Sequence, residues 1–224
     1  MSPAPNEAGH ESPEGFRIQH SQLRNRLIVF VKAPRPGFVK TRLAESIGKE
    51  AACEAYRMLT ESLFRNLDKV EDNELEIKFT PDDSRDEVRP WLRDGWTSSP
   101  QGAGNLGDRL QRALEEAFTD GCERVAVIGS DCPDVTAQDV ASAWRDLDRN
   151  DVILGPANDG GYWLIALKRP NAKLFENIAW STNRVLTQTI ASGTGAGLVI
   201  KCLRMLTDID TLDEWREWQA QQAE

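Results

Sequence analysis

Four cations, Lys32, Arg35, Lys40 and Arg42, are packed into eleven residues, and Pro34, Pro36 and Gly37 restrict the segment that carries them. Such a loop suits a small polyphosphate. One cation about 4 Å from a phosphate charge gains about 1 kcal/mol in water and about 4 at an effective dielectric of about 20, so several converging cations can hold a diphosphate. Thr41 stands where a helix N-cap would fall, and a helix N-terminus would add unpaired N–H groups and a favourable dipole. Gly37 lies three residues before Lys40 and no Gly-Lys-Ser/Thr is present, so the segment is not a Walker loop.

The acidic counterpart is dispersed. Asp131 follows directly on the apolar run Val125–Ile128, Asp159 lies in a Gly/Asn/Pro-rich turn, and Asp208 and Asp210 come just past the last apolar stretch. Carboxylates at several strand ends can converge on one sheet edge. Hard oxygen ligands of this kind suit Mg2+ or Mn2+, which keep some water and bridge to substrate phosphates. Asp131 and Asp208 serve no evident cap or turn and are the expected metal ligands. Asp159 is equally well read as a turn former before Gly160-Gly161. Asp210, beside Thr211, reads as capping chemistry.

Several chemistries are disfavoured. With 27 Lys+Arg against 36 Asp+Glu the net charge is −9, which repels a nucleic acid over most of the surface. Both histidines, His10 and His20, precede the first apolar run, and no Gly-x-Ser-x-Gly elbow occurs. Cys53, Cys122, Cys132 and Cys202 are scattered without a C-x-x-C pair, as expected of reduced thiols in the cytoplasm. Apolar runs such as Leu27–Val31 and Tyr162–Leu167 are too short to span a bilayer, and no secretory signal is visible. Gly102-Ala103-Gly104-Asn105-Leu106-Gly107 matches a dinucleotide fingerprint by letter, but a polar segment and Pro100 precede it, where a buried strand should stand. The basic loop, moreover, holds the first βα turn.

The elements that must position these residues alternate between strand and helix. Residues 1–24 read as a mobile tail, and residues 25–224 as a single α/β domain. Leu27–Val31 suits a strand buried on both faces. Apolar spacing over Leu43–Leu67 predicts one long amphipathic helix. Leu75–Phe79, Trp96–Ser99, Val125–Ile128, Val152–Leu154, Tyr162–Leu167 and Gly197–Cys202 read as strands. Helices are expected over Ser84–Trp91 and Asp108–Phe118, from a Thr136 cap to Leu147, and from Ser181 or Thr182 to Ile190. A capping box at Thr211–Glu214 opens the last helix. The alternation implies a mostly parallel sheet covered on both faces.

The segment Lys32-Ala-Pro-Arg-Pro-Gly37-Phe-Val-Lys40-Thr41-Arg42-Leu43 resembles the opening loop of a bacterial GT-A-like glycosyltransferase family, often labelled radical-SAM/selenodomain-associated or arsenosugar-biosynthesis transferases. The likeness continues through Gln101-Gly102-x-Gly104-x-Leu106-Gly107-x-Arg109, Gly129-Ser130-Asp131-Cys132-Pro133 and Gly155-Pro156-Ala157-x-Asp159-Gly160-Gly161-Tyr162. Trp180-Ser181-Thr182 and Asp208-Ile209-Asp210-Thr211 complete it. The resemblance implies a GT-A (nucleotide-diphospho-sugar transferase) Rossmann-like fold and a nucleotide-activated donor. In that frame Lys32, Pro34, Gly37, Lys40, Thr41, Arg42, Gln101 and Gly102 embrace the nucleotide. Asp131 stands for the metal aspartate of a Asp-x-Asp motif with Asp208 as second ligand, and Asp159 orients sugar or acts as base. The segment around Asp131 carries one acid where a full Asp-x-Asp would carry two.

The expected activity is therefore glycosyl transfer from a nucleotide-diphosphate sugar to a small-molecule acceptor, assisted by Mg2+ or Mn2+. The same layout also resembles small-molecule nucleotidyltransferases, which release pyrophosphate from an NTP. A nucleotide-sugar-binding protein without turnover is the third reading. No residue stands out as a nucleophile, and neither nucleic acid nor membrane is an expected partner.

Overall fold

The computed structural model describes residues 23–222. The expected tail, with His10 and His20, lies outside them up to residue 22. Arg24, at its end, is fixed by an ion pair to Glu74 at 2.6 Å.

The chain runs β1 (Asn25–Lys32), α1 (Thr41–Ile47), α2 (Lys49–Leu67), β2 (Glu74–Thr80), α3 (Arg85–Val88), β3 (Thr97–Pro100), α4 (Leu106–Thr119) and β4 (Arg124–Gly129). It continues through α5 (Ala137–Asp146), β5 (Val152–Pro156), β6 (Tyr162–Leu167), α6 (Val185–Gly195), β7 (Ile200–Cys202) and α7 (Leu212–Gln222). The strands form one seven-stranded sheet ordered β3-β2-β1-β4-β6-β5-β7. Every pairing is parallel except the two made by β6.

The continuous apolar character of β1 follows from this position. Leu27, Val29 and Val31 face a core with Tyr56, Leu63 and Phe64 of α2 and Val140 and Ala143 of α5. Ile28 and Phe30 face the opposite layer, with Leu110 and Leu114 of α4. At about 25 cal/mol per Å2 of apolar surface, burial on both sides is the main force holding the sheet between its helices. The alternating β2 also has both faces covered. Lys78 and Glu76, 4% and 8% exposed, are reconciled with burial by ion pairs of Lys78 to Glu116 of α4 at 2.6 Å and to Glu76 at 3.3 Å.

Local boundaries differ from the sequence expectation for identifiable reasons. The single helix expected from Leu43 is two, because Gly48, at φ +87°, ends α1 and precedes α2. Only a residue at ease with positive φ permits that bend. Thr136 and Asp139 form the capping box expected before α5. Ser181 and Thr182 do not cap α6: Thr182 donates to the Ala179 carbonyl at 2.7 Å and the helix starts at Val185. β7 is also shorter than expected, because residues 197–199 enter it as a turn and an extended lead-in.

Gly155 of β5 tests the packing of the half of the sheet beyond β4. A Cβ there would meet the buried Trp163 ring at 2.3 Å. Gly155→Ala is expected to cost about 1–3 kcal/mol through overpacking. A thermal melt should show a fall of several degrees; an unchanged Tm would mean that the Trp163 ring shifts freely.

Candidate active site at the strand-end cleft

β1 is flanked by β2 on one side and β4 on the other, so the strand order reverses between β1 and β4. In open α/β sheets such a crevice, beyond the carboxyl ends of the strands, is where ligands bind. The loop after β1 and the Asp131 segment after β4 form its two rims. They are joined beneath by Tyr56, which is fully buried. Its hydroxyl accepts from the Lys32 backbone N–H at 2.9 Å and lies 2.9 Å from Ser130 Oγ. Burial pushes the phenol above its ordinary range, so it stays a neutral hydroxyl.

The basic loop owes its shape to local sequence. Pro36 and Gly37 occupy the centre of a turn closed by Phe38 N–H to the Arg35 carbonyl at 3.0 Å. Gly37 has φ +83°, the positive value that the third residue of a proline-led type II turn requires. Val39, 1% exposed, anchors the far end in the core. The Pro34 carbonyl accepts from Cys53 Sγ at 3.0 Å and Arg57 at 3.1 Å. Pro34 is thereby a structural pin in the loop floor.

The four cations separate into different roles. Arg35 is taken up by Glu87, its Nε lying 2.9 Å and 3.0 Å from the two carboxylate oxygens, with Asp83 also in range. Lys32 is exposed, and among the described residues its ammonium has no hydrogen-bond or ion-pair partner. Arg42 is 65% exposed and stands 3.8 Å from Asp210. Lys40 is buried: its Nζ donates to Asp131 Oδ1 and, at 3.1 Å, to Asp210 Oδ1. Lys40, in a left-handed conformation, is itself the residue before α1, so Thr41 opens the helix instead of capping it.

Asp208 and Asp210 reach this edge because the segment after β7 is stitched to its neighbours. Leu206 N–H donates to the Pro156 carbonyl at 3.0 Å, Asn158 N–H to the Leu206 carbonyl at 3.1 Å, and Ile209 N–H to the Asp131 carbonyl at 3.0 Å. Leu206 and Ile209 are buried and hold the strap down. The backbone N–H groups of Asp210 and Thr211 are capped by Glu214, at 2.8 and 2.7 Å. Capping by Glu214 leaves the Asp210 carboxylate for Lys40 and Arg42, a role the sequence reading gave to the helix cap. The Thr211-x-x-Glu214 box was the available signal, since it satisfies the helix start without Asp210.

The charges sort themselves accordingly. Burial raises the Asp131 carboxyl, but the adjacent Lys40 ammonium outweighs it and holds the group below the usual carboxylate value. Burial likewise opposes the Lys40 charge, and Asp131 and Asp210 more than compensate, so the ammonium stays protonated. Among the described residues Asp208 has no ion-pair partner. Its carboxylate accepts from the Cys132 thiol, while burial and the charges of Asp159, Asp131 and Asp210 push it up to about 7. Burial and the Asp208 charge in turn keep Cys132 a thiol. Asp159 is exposed, with one carboxylate oxygen accepting from Gly161 N–H at 2.7 Å. It is thus the turn former anticipated, and it also faces Asp208 electrostatically.

The glycine segment is a braced lip beside the crevice. Gln101 is 5% exposed; its amide donates to the Val31 and Lys78 carbonyls, both at 3.0 Å, and its Oε1 accepts from Arg109 at 3.3 Å. Its side chain is therefore consumed inside the protein. Arg112 closes the loop onto the Gln101 and Ala103 carbonyls, at 2.7 and 2.8 Å. A Cβ on Gly102 would lie 2.5 Å from that guanidinium. Gly102 is needed for this close approach.

Among the described residues no group of three or more His, Cys, Asp or Glu side chains is placed to hold a metal ion. Two carboxylates, Asp131 and Asp210, nevertheless already converge on one cation, the Lys40 ammonium. Mg2+ is commonly held by one or two carboxylates together with substrate phosphates and water, so the donor chemistry fits such an ion.

The mostly parallel seven-stranded sheet and its helices match the Rossmann-like fold of nucleotide-diphospho-sugar transferases and cytidylyltransferases. A Desulfovibrio desulfuricans protein proposed to be a nucleotide-diphospho-sugar transferase superimposes with a TM-score of 0.79 at 33% identity, over 84% of this chain and 83% of that one. More distant likeness, of fold alone, extends to 4-diphosphocytidyl-2C-methyl-D-erythritol synthase from Anaerococcus prevotii, with a TM-score of 0.60 at 10% identity over 91% and 97% of the two chains. It extends also to Rv0371c of Mycobacterium tuberculosis in complex with manganese, at 0.52 and 14% over 87% and 97%. Residues 63–182 match the family model described as "Uncharacterized protein conserved in bacteria (DUF2064)", and the chain belongs to that family. Comparison with curated proteins finds no match.

Asp208 offers a test of the electrostatics. A carboxyl raised to about 7 in the fold, against about 3.9 unfolded, contributes stability that is complete below about 3.9 and is lost as pH rises through about 7. Asp208→Asn removes the titration. Without divalent ions its Tm relative to wild type should therefore climb between pH 5 and pH 8. A Tm difference that stays flat over that range would show that the carboxyl ionises normally.

Proposed function

We propose that the protein is a metal-assisted transferase that moves a glycosyl group from a nucleotide-diphosphate sugar to a small-molecule acceptor. The observation that supports this best is the sharing of one cleft by Lys40, Arg42, Asp131 and Asp210 at the strand-order reversal. Lys32 and Arg42, the cations left with open faces, would bind the diphosphate, with Lys40 beside them. Gly37 and Pro34 shape the loop that presents them. Asp131, with Asp208 or Asp210, would hold Mg2+ or Mn2+. When bound, that ion would neutralise the departing diphosphate as a Lewis acid. Asp159, exposed at the cleft edge beyond Asp208, would orient the sugar or take the acceptor proton.

Nucleotidyl transfer is a second reading, favoured by the fold likeness to a diphosphocytidyl-sugar-alcohol synthase. In that case the Lys32 and Arg42 side would hold an NTP and pyrophosphate would leave. The resemblance of the motif blocks to radical-SAM- and arsenosugar-associated transferases supports a small acceptor in either case. No helix among the described residues is long and apolar enough to cross a membrane. The free state of all four cysteines supports a cytoplasmic location.

Product analysis divides these readings: free NDP supports glycosyl transfer and pyrophosphate supports nucleotidyl transfer. A nucleotide-sugar-binding protein without turnover would yield neither, and would bind its ligand equally well after Asp131→Asn. The phosphate assignment has its own test in Lys32→Ala, because that exposed ammonium makes no hydrogen bond or ion pair among the described residues. Loss of one cation near a phosphate, about 1–4 kcal/mol, should weaken nucleotide binding by about fivefold or more in a calorimetric titration. Unchanged binding curves across CDP, UDP and GDP would remove Lys32 from the site.

A further inference from the structure

Lys40 is set apart from the other cations of its loop. Its side chain is 2% exposed, whereas those of its partners Asp131 and Asp210 are 52% and 36% exposed. The ammonium therefore lies beneath the two carboxylates, which present their other faces to the cleft. Its backbone is held at φ 45° and ψ 48°, a left-handed conformation that a residue with a side chain keeps only when its surroundings demand it. Without a ligand, the acid pair thus already has a counter-ion. A divalent ion entering the same pair would meet a positive charge within a few ångströms, and at that range like charges repel strongly in a partly buried site.

We propose, resting on the metal-assisted reading above, that the Lys40 ammonium is the resident counter-ion of Asp131 and Asp210 and competes with the divalent cation for them. The cation then binds well only with a polyphosphate, which receives the displaced ammonium. Lysine suits this exchange because its charge is compact and sits on a flexible stem, able to move from carboxylate to phosphate without forfeiting a planar two-point contact. The cation and the nucleoside polyphosphate each raise the affinity of the other, since such coupling is reciprocal.

The probe is Mn2+ alone, followed by electron paramagnetic resonance, on wild type, Lys40→Gln and Lys49→Ala, the last removing an exposed cation at the start of α2. Lys40→Gln should tighten Mn2+ binding by about tenfold or more, while Lys49→Ala changes it by less than about threefold. Adding CDP, UDP or GDP should tighten Mn2+ binding in wild type far more than in Lys40→Gln, read by water-proton relaxation. Equal or weaker Mn2+ binding by Lys40→Gln overturns the competition. Equal tightening by Lys49→Ala also overturns it, because the effect would then be a general field. If wild type takes up Mn2+ with a nucleoside diphosphate while Lys40→Gln gains nothing with Mn2+ alone, this inference falls and the metal reading stands. If no protein takes up Mn2+ under any condition, both fall. Should Lys40→Gln not fold, the 15N ammonium resonance of Lys40 in wild type answers the same question. It should shift on adding Mg2+ with UDP but not Mg2+ alone, and a resonance unmoved in both would refute the exchange.

Discussion

The site depends on a single buried charge. Lys40 buries an ammonium at the strand ends, where a lone cation would cost several kcal/mol of lost hydration. Asp131 and Asp210 supply the compensation, from segments 91 and 170 residues away in sequence. To deliver them, β4 must end at Gly129, the strap after β7 must be pinned by Leu206 and Ile209, and α1 must begin at Thr41. Tyr56 joins the two rims below, so the distance between the β1 and β4 ends cannot change without breaking its bonds to Lys32 and Ser130. The crevice is therefore rigid in its floor, while Lys32, Phe38 and Arg42 stand exposed along its rim.

That compensation is uneven, and the unevenness carries chemical meaning. Asp131 is stabilised as an anion by its lysine, whereas Asp208, a few residues along the strap from Leu206, faces a neutral thiol and three other acids. Ionisation of Asp208 near neutral pH would work against the folded state. A bound cation would reverse the sign of the effect. Among the described residues these four carboxylates are met by Lys40 between Asp131 and Asp210 and by Arg42 at 3.8 Å from Asp210, so the balance of charge at this edge leaves Asp208 and Asp159 uncompensated.

Much of this was legible in the sequence, but only where the governing interaction is local. The buried strands showed as continuous apolar runs because both faces of the sheet are covered. Thr136 with Asp139, and Thr211 with Glu214, announced their helices because a capping box spans only four residues. Pro36-Gly37 announced a turn for the same reason. What sequence could not show was pairing at long range. Arg35 counts as one of four loop cations in the sequence, yet Glu87, from α3, takes it. Gln101 looked available to a nucleotide, yet carbonyls of β1 and β2 consume its amide. Asp210 was hidden behind its neighbour Thr211, and Gly48 behind an unbroken apolar spacing that fits one helix as well as two.

The distribution of cation types follows the same logic. Arginine appears where a cation is fixed: Arg35 to Glu87, Arg112 to two carbonyls of the glycine lip, and Arg204 to Asp139 with contacts at 2.6 and 2.7 Å. A planar fork of donors rewards such permanent geometry. At the strand-order reversal stand Lys32, which has no ion-pair partner among the described residues, Lys40, held between two acids, and Arg42, 3.8 Å from Asp210. Fixed cations thus brace the fold, the buried Lys78 among them, while Lys32 and Arg42 keep exposed faces at the strand ends, where a ligand's charge would meet them.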